Sequence, residues 1–300
     1  MAVSRASRTA SELSAQPACW RRAAEAAPSV EGLPRPGERV AVTGCGTSWY
    51  MAQAYAALRE AAGEGDTDAF PASEFPARRR PYDRVVAITR SGTTTEVLGL
   101  LAALGTSTPR LAVTASPGTP VTRAAEAVAV LDWADEESVV QTRFATTALA
   151  LLRAALPGGA AAVAAAADAA EAALAEALPA ELLEAEQWTF LGRGWGYAVA
   201  REAALKLREA AGAWTEAYPS MEYRHGPVAI AGPRRVVWSF GVAPNGLSST
   251  VAGTGATFVE GRAPLTELVR AQRLAVALAE RRGCDPDHPR GLTRSVILAP

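Results

Sequence analysis

Three charged residues, Glu202, Lys206 and Glu209, are spaced by four and three positions in an otherwise apolar stretch. On a helix this spacing places them on one face. If that face were exposed, they would form an ordinary salt-bridge ladder. The apolar surroundings instead favour a largely buried helix, where charges need partners or a function. A carboxylate held beside an ammonium group can act first as a general base and then as a general acid.

A second group of polar residues follows two predicted strands. Both segments precede predicted helices, and the carboxyl ends of parallel strands meet at one sheet edge, where ligands bind. Hydroxyls together with the backbone N–H groups of helix starts suit a phosphate dianion. Ser and Thr also cap helices, which is the structural alternative. A Walker lysine and a complete G-x-G-x-x-G are both missing, which disfavours a nucleotide. The candidate residues are Thr47, Ser48, Thr89, Arg90, Ser91, Thr93, Thr94 and Thr95.

His225 is one of two histidines, and Gly226-Pro227 after it predicts a turn that places it on a loop. A lone histidine is often structural. Its pKa near neutrality also suits proton transfer during the opening of a sugar ring.

Short apolar runs that alternate with helical patterns position these residues. Such alternation predicts an α/β fold with a doubly wound parallel sheet. A helix over 9–27 is expected to break at Pro17, and a charged helix is expected over 265–282. The predicted strands are 40–43, 84–89, 111–114, 127–131, 188–191, 236–240 and 256–259.

The two halves of the chain resemble each other, which indicates a duplicated domain. Gly44, Gly46, Ala52 and Ala56 recur as Gly192, Gly194, Ala200 and Ala204. Pro157-Gly158-Gly159 and Pro179 divide an Ala-rich connection into two or three helices. The predicted organisation is a helical arm (1–34), a first domain (35–144), the connection (145–186), a second domain (187–285) and a tail (286–300).

Composition excludes several classes of function. The 300 residues carry a net charge of −1 and are 49% hydrophobic. No basic excess points to nucleic acid, and no apolar stretch is long enough to span a membrane. We read Arg78–Arg80 as a solvated loop. The start lacks the apolar core of a secretory signal, and three scattered cysteines predict neither a disulfide framework nor a zinc site. We therefore expect a cytoplasmic protein without a metal or cofactor.

These motifs together resemble the SIS (sugar isomerase) domain family. The segments GCGTS and TRSGTTTE resemble its sugar-phosphate loops. LGRGWGYAVAREAALKLREAAGAWTEAYPSMEYRHGP resembles the catalytic segment in the isomerase half of glucosamine-6-phosphate synthase. SELSAQP and DHPRGLTRSVIL resemble that protein's N-terminal helix and tail. The resemblance implies two SIS domains, each a parallel sheet between helices.

The resemblance also implies roles. Ser48, Thr89, Ser91 and Thr94 would hold the sugar phosphate. Glu209 would move a proton between C1 and C2, and His225 would assist ring opening. Glu202 and Lys206 would orient the sugar and the base. In the family the His loop reaches a neighbouring subunit, so a homodimer is expected.

Three departures from the synthase matter. The resemblance covers only the isomerase half, so we expect this chain not to hydrolyse glutamine. Arg294 stands where the synthase has the tail lysine that forms a Schiff base with fructose 6-phosphate, and arginine is a poor imine-forming amine. Arg90 replaces a small polar residue, where it would add a cation beside the phosphate or alter the sugar preference.

The sequence thus favours isomerisation with deamination of an amino sugar such as glucosamine 6-phosphate. The enzymatic alternatives are a simple phosphosugar isomerase or a deglycase. The non-enzymatic alternative is a sensor that binds a sugar phosphate and regulates a partner.

Overall fold

Parallel strands made of short apolar runs form two sheets. The computed structural model describes residues 7–76 and 80–299, so Arg78 and Arg79 of the predicted basic loop lie outside the described residues. The first sheet contains β1 (Val40–Gly44), β2 (Thr67–Pro71), β3 (Arg84–Ile88), β4 (Arg110–Thr114) and β5 (Ala127–Val130), and the second contains β6 (Gln187–Gly192), β7 (Trp214–Pro219), β8 (Arg235–Phe240) and β9 (Thr257–Val259).

Helices follow or flank most of these strands. The Ala-rich connection forms three of them, as expected. The helices are α1 (Arg8–Ser14), α2 (Gln16–Ala26), α3 (Thr47–Ala61), α4 (Thr95–Leu104), α5 (Val121–Ala124), α6 (Arg143–Ala154), α7 (Gly159–Ala175), α8 (Ala180–Glu184), α9 (Trp195–Ala211), α10 (Leu247–Ala252) and α11 (Pro264–Arg282).

The strand orders are β2-β1-β3-β4-β5 and β7-β6-β8-β9, and every neighbouring pair is parallel. All residues of β1, β3, β4 and β6 are buried, which explains their continuous apolar runs. The predicted α/β fold with parallel sheets flanked by helices is confirmed. In each sheet the first crossover leads to an edge strand, β2 or β7, which the sequence did not predict.

The chain divides into two units. One comprises residues 7–15, 137–140 and 168–292, and the other comprises 16–136, 141–167 and 293–299. In the unit with the first sheet, α3 packs on β1 and β2 and also contacts α6. In the unit with the second sheet, α9 packs on β6 and β7 and against α11.

Glycines open two of the helices that carry candidate residues. Gly46 precedes α3 with φ 54° and ψ −124°, and Gly194 precedes α9 with φ 51° and ψ −131°. This conformation is open to glycine and strained for other residues. The recurrence of Gly46 as Gly194 therefore has a shared structural cause, which is the same sharp turn from a strand into a helix.

The helical arm breaks slightly earlier than predicted. The break falls at Ala15, and Pro17 lies in the first turn of α2. Proline is tolerated there because the N–H groups of a first turn have no partner within the helix. Within residues 7–76 and 80–299, no helix combines the length and apolarity needed to cross a membrane.

Candidate active site

The two hydroxyl-rich segments meet at the carboxyl edge of the first sheet. Strands β1 and β3 are hydrogen-bonded neighbours, and each leads through a loop into a helix. The β3–α4 loop, residues 89–94, is mostly buried. A small cavity lies here, lined by Cys45, Ser48, Ile88, Thr89, Arg90, Ser91, Thr94, Val97, Gln141 and Arg294.

This cavity gathers five of the eight candidate residues of the hydroxyl-rich segments, together with Arg294 of the tail motif. Thr47 is buried at the first residue of α3 and is not among the described residues that line the cavity. The capping alternative predicted that a Ser or Thr side chain caps the start of α3 or of α4, and the structure shows no such capping hydrogen bond. The residue before α3 is Gly46, and Thr94 before α4 makes no side-chain capping hydrogen bond.

Arg90 is turned towards a carboxylate of its own unit. Its Nη1 lies 3.8 Å from Oε2 of Glu136, and both side chains are essentially buried. Its Nη2 donates to the carbonyl of Arg294 over 3.3 Å. Glu136 in turn accepts hydrogen bonds from the backbone N–H groups of Thr142, Arg143 and Phe144 at the start of α6. The guanidinium of Arg90 is therefore already balanced by a negative charge.

Residues 293–299, called here the tail segment, contact the β3–α4 loop. Nη2 of Arg294 donates to both carboxylate oxygens of Asp135, over 2.6 and 2.7 Å, and its Nη1 donates to the carbonyl of Glu136. This bidentate pair fixes the side chain of Arg294. Sequence reasoning missed Asp135 and Ser295, although Ser295 lies in the tail motif that carries part of the resemblance.

On α9, the spacing of Glu202, Lys206 and Glu209 produces the predicted cluster. Nζ of Lys206 lies 3.3 Å from Oε1 of Glu202 and donates a hydrogen bond to Oε2 of Glu209. The side chains of Glu202 and Lys206 are 1% exposed, whereas that of Glu209 is 20% exposed. Glu209 is thus the carboxylate of the cluster that solvent or a ligand can reach.

The protonation of Lys206 follows from this geometry. Burial acts to lower the pKa of Lys206, but the charges of Glu202 and Glu209 and their hydrogen bonds outweigh it, and the pKa is raised. Lys206 therefore stays an ammonium ion and is unsuited to forming an imine. It is also the only lysine in a sequence with 30 Lys and Arg residues.

His225 is exposed and ends a short 3-10 turn over Glu222–Arg224. Its backbone N–H donates to the carbonyl of Glu222 over 2.9 Å, and Gly226 after it has φ 134°. Nη2 of Arg224 donates to the carbonyl of Asn245 over 2.7 Å, which ties this turn to the β8–α10 connection. The imidazole is available at the surface of its unit, as the predicted loop position requires.

Comparison with known proteins supports the resemblance drawn from the motifs. A glutamine–fructose-6-phosphate aminotransferase (isomerizing) from Xylella fastidiosa is 28% identical over 317 residues, which cover 86% of this chain. The chain spans about half the length of that relative, 52%. No family model matches the chain.

Solved structures extend the likeness to the whole chain. A glucosamine-6-phosphate deaminase from Thermotoga maritima has a TM-score of 0.83 at 23% identity, covering 97% of this chain and 100% of its own. A tagatose-6-phosphate ketose/aldose isomerase from Escherichia coli has a TM-score of 0.77 at 18% identity, covering 98% and 97%. At these identities the structures show a shared fold. The chain therefore resembles the SIS phosphosugar isomerases and the isomerase half of glucosamine-6-phosphate synthase.

Proposed function

We propose that this chain is a phosphosugar isomerase and deaminase that acts on an amino sugar phosphate such as glucosamine 6-phosphate. The observation that carries the proposal is the cluster on α9. A lysine is bound between a buried carboxylate and a partly exposed one. A salt-bridge ladder would lie on an exposed face, whereas here two of the three charged side chains are buried.

Glu209 is the proton shuttle in this proposal. Its carboxylate takes the proton from C2 of the open-chain amino aldose, which produces an enaminol, and returns a proton to C1. The resulting ketose imine takes up water and releases ammonia, leaving fructose 6-phosphate. Glu202 balances the charge of Lys206, and Lys206 orients the carboxylate of Glu209. One carboxylate can serve both steps because it becomes an acid once it has accepted the proton.

The remaining predicted residues support substrate binding. Ser48, Thr89, Ser91 and Thr94 bind the phosphate, since these hydroxyl residues line one buried cavity in front of the start of α4. His225 assists opening of the sugar ring. We also propose that the shared strand order of the two sheets reflects two SIS domains, over 35–144 and 187–285, and that the enzyme is a homodimer.

The position of Arg294 agrees with deamination better than with the synthase reaction. The synthase forms an imine at the tail lysine, and here the corresponding side chain is an arginine paired with Asp135. The proposed reaction needs no amine at that position, because water alone releases the ammonia.

A panel of hexose and hexosamine 6-phosphates tests the proposal. Ammonia release and ketose formation are measured for each sugar. We expect both products, in equal amounts, from glucosamine 6-phosphate. Ketose formation from a plain aldose phosphate without any ammonia release would instead favour a simple isomerase. Binding without turnover of any sugar in the panel would overturn the proposal in favour of a sensor.

A further inference from the structure

The hydroxyl of Ser295 is the point on which the β3–α4 loop converges. Oγ of Ser91 donates to Oγ of Ser295 over 3.0 Å, and Oγ1 of Thr93 donates to the same oxygen over 2.9 Å. Oγ1 of Thr94 lies 3.5 Å from it. A single oxygen atom surrounded by loop hydroxyls is the environment that a phosphate oxygen would occupy in this loop.

The backbone of the tail segment also forms hydrogen bonds with the first residue of α4. The N–H of Thr95, the first residue of α4, donates to the carbonyl of Val296 over 3.2 Å. Oγ1 of Thr95 accepts a hydrogen bond from the N–H of Leu298 over 2.9 Å. One of the helix-start N–H groups that would serve an anion is therefore already engaged.

These contacts compete with an anion, because each hydroxyl has one proton to donate. The protons of Ser91 and Thr93 cannot serve both Ser295 and a phosphate. Arg90 is likewise engaged, by Glu136 and by the carbonyl of Arg294. Phosphate binding through the hydroxyl protons of Ser91 and Thr93 thus requires the tail segment to leave or to rearrange.

The tail segment is held in a way that permits its release. Val296, Ile297 and Leu298 are each more than half exposed, so apolar burial contributes little to docking. A phosphate dianion can replace the acceptors of this segment, which are the hydroxyl of Ser295 and the carbonyl of Val296. The N–H of Leu298, which donates to Thr95, would turn to water instead. The bidentate pair of Arg294 with Asp135 lies at the beginning of the segment and can persist as an anchor when the following residues move.

We propose that the tail segment is an intramolecular competitor for the phosphate site, anchored by Asp135 and displaced from the β3–α4 loop by the phosphate of the substrate. The inference rests on the proposed function of the loop. Asp135 acts through Arg294 as a positioning residue, and Ser295 is the group that phosphate replaces.

Calorimetric titration of the full chain with inorganic phosphate and with glucosamine 6-phosphate tests this. Ser295→Ala removes the oxygen that accepts the loop protons and should lower the Kd of both ligands about 10-fold, since one lost hydrogen bond shifts the docking equilibrium by about that factor. Asp135→Asn should lower Kd in the same direction. Ile297→Ala is the matched control, because its side chain is exposed, and it should leave Kd unchanged.

Hydrogen exchange adds a second measurement. If the tail segment had only a structural role, phosphate would not change the exchange rate of its amides. Saturating phosphate should speed exchange of the Leu298 amide in the native chain, because its bond to Thr95 is broken. Slower exchange, or weaker binding in Ser295→Ala, would overturn the inference by making the tail segment a part of the bound site.

The failures of the two proposals are distinguishable. If Ser91→Ala weakens binding and Ser295→Ala has no effect, the tail inference fails and the phosphate role of the loop stands. If neither the native chain nor any variant binds phosphate or glucosamine 6-phosphate, both fail together.

Discussion

At the residue scale, the α9 cluster illustrates what spacing predicts and what it leaves open. Intervals of four and three residues placed Glu202, Lys206 and Glu209 on one face, and the structure confirms that Lys206 contacts both carboxylates. The sequence did not show which carboxylate is buried, because that depends on how α9 packs on β6, β7 and α11. This packing makes Glu209, and not Glu202, the accessible carboxylate of the cluster.

Replacing Lys206 should destabilise the folded chain. In Lys206→Met, Glu202 keeps a buried charge without its ammonium partner, and the free energy of unfolding should fall by about 3–5 kcal/mol. Adding Glu202→Gln removes that charge and should restore a large part of the loss. Urea unfolding measures both, with Arg281→Met on the exposed side of α11 as a control that changes stability by less than about 0.5 kcal/mol. Equal losses in the single and double variants would contradict the pairing.

At the element scale, buried strands were predictable and edge strands were not. The apolar runs of β1, β3, β4 and β6 are recognisable in the sequence as strands. The sequences of β2, TDAFP, and of β7, WTEAYP, are not. Polar residues interrupt both, because an edge strand has a neighbour on one side only and is incompletely buried. The position of the tail segment also could not be predicted from the sequence. Its motif was recognisable, but its contact with the β3–α4 loop depends on residues about 200 positions apart.

The start of α1 gives a prediction at this scale. Asp287 accepts hydrogen bonds from the N–H groups of Arg8 and Thr9, at 2.9 and 2.8 Å, and from the hydroxyl of Thr9 at 2.7 Å. Burial acts to raise the pKa of Asp287, but these bonds outweigh it and the pKa is lowered. The carboxylate therefore stabilises the fold above its unfolded pKa of about 3.9, and this contribution is lost as pH falls through its lowered folded pKa.

Asp287→Ala should accordingly reduce the free energy of unfolding by about 1–2 kcal/mol at pH 7. The difference between native and variant should shrink as the pH falls below about 4. Denaturant titrations at pH 7, 5 and 3 measure this. A deficit that stays constant over these pH values would show that the charge of Asp287 is not what holds α1.

At the scale of the whole molecule, the basic residues are informative. Of the 30 Lys and Arg residues, the lysine of the α9 cluster, Lys206, is the only one that is not arginine. Lysine is a compact point charge, whereas the planar guanidinium of arginine needs more room and has a fixed donor geometry. The buried position between two carboxylates therefore suits lysine. The tail position, which pairs bidentately with Asp135, suits arginine.

Assembly gives a prediction for the proposed homodimer. If the His225 loop serves the site of the neighbouring subunit, Glu209→Gln and His225→Asn chains should complement each other. Mixed dimers would then contain one site with both native residues, and turnover of glucosamine 6-phosphate should recover up to about a quarter of the native rate in a statistical mixture. The absence of recovery in mixed dimers verified by two affinity tags would show that each chain works alone.

The central claim is that Glu209 transfers the proton between C1 and C2. Its most direct test is turnover of glucosamine 6-phosphate by Glu209→Gln, which keeps the shape of the side chain and removes the base. We predict that turnover falls by about 10²–10⁴ while the Kd for glucosamine 6-phosphate stays within a few-fold of native. Glu280→Gln, an exposed carboxylate on α11, is the matched control and should turn over normally. A Glu209→Gln enzyme with near-native turnover would contradict the account.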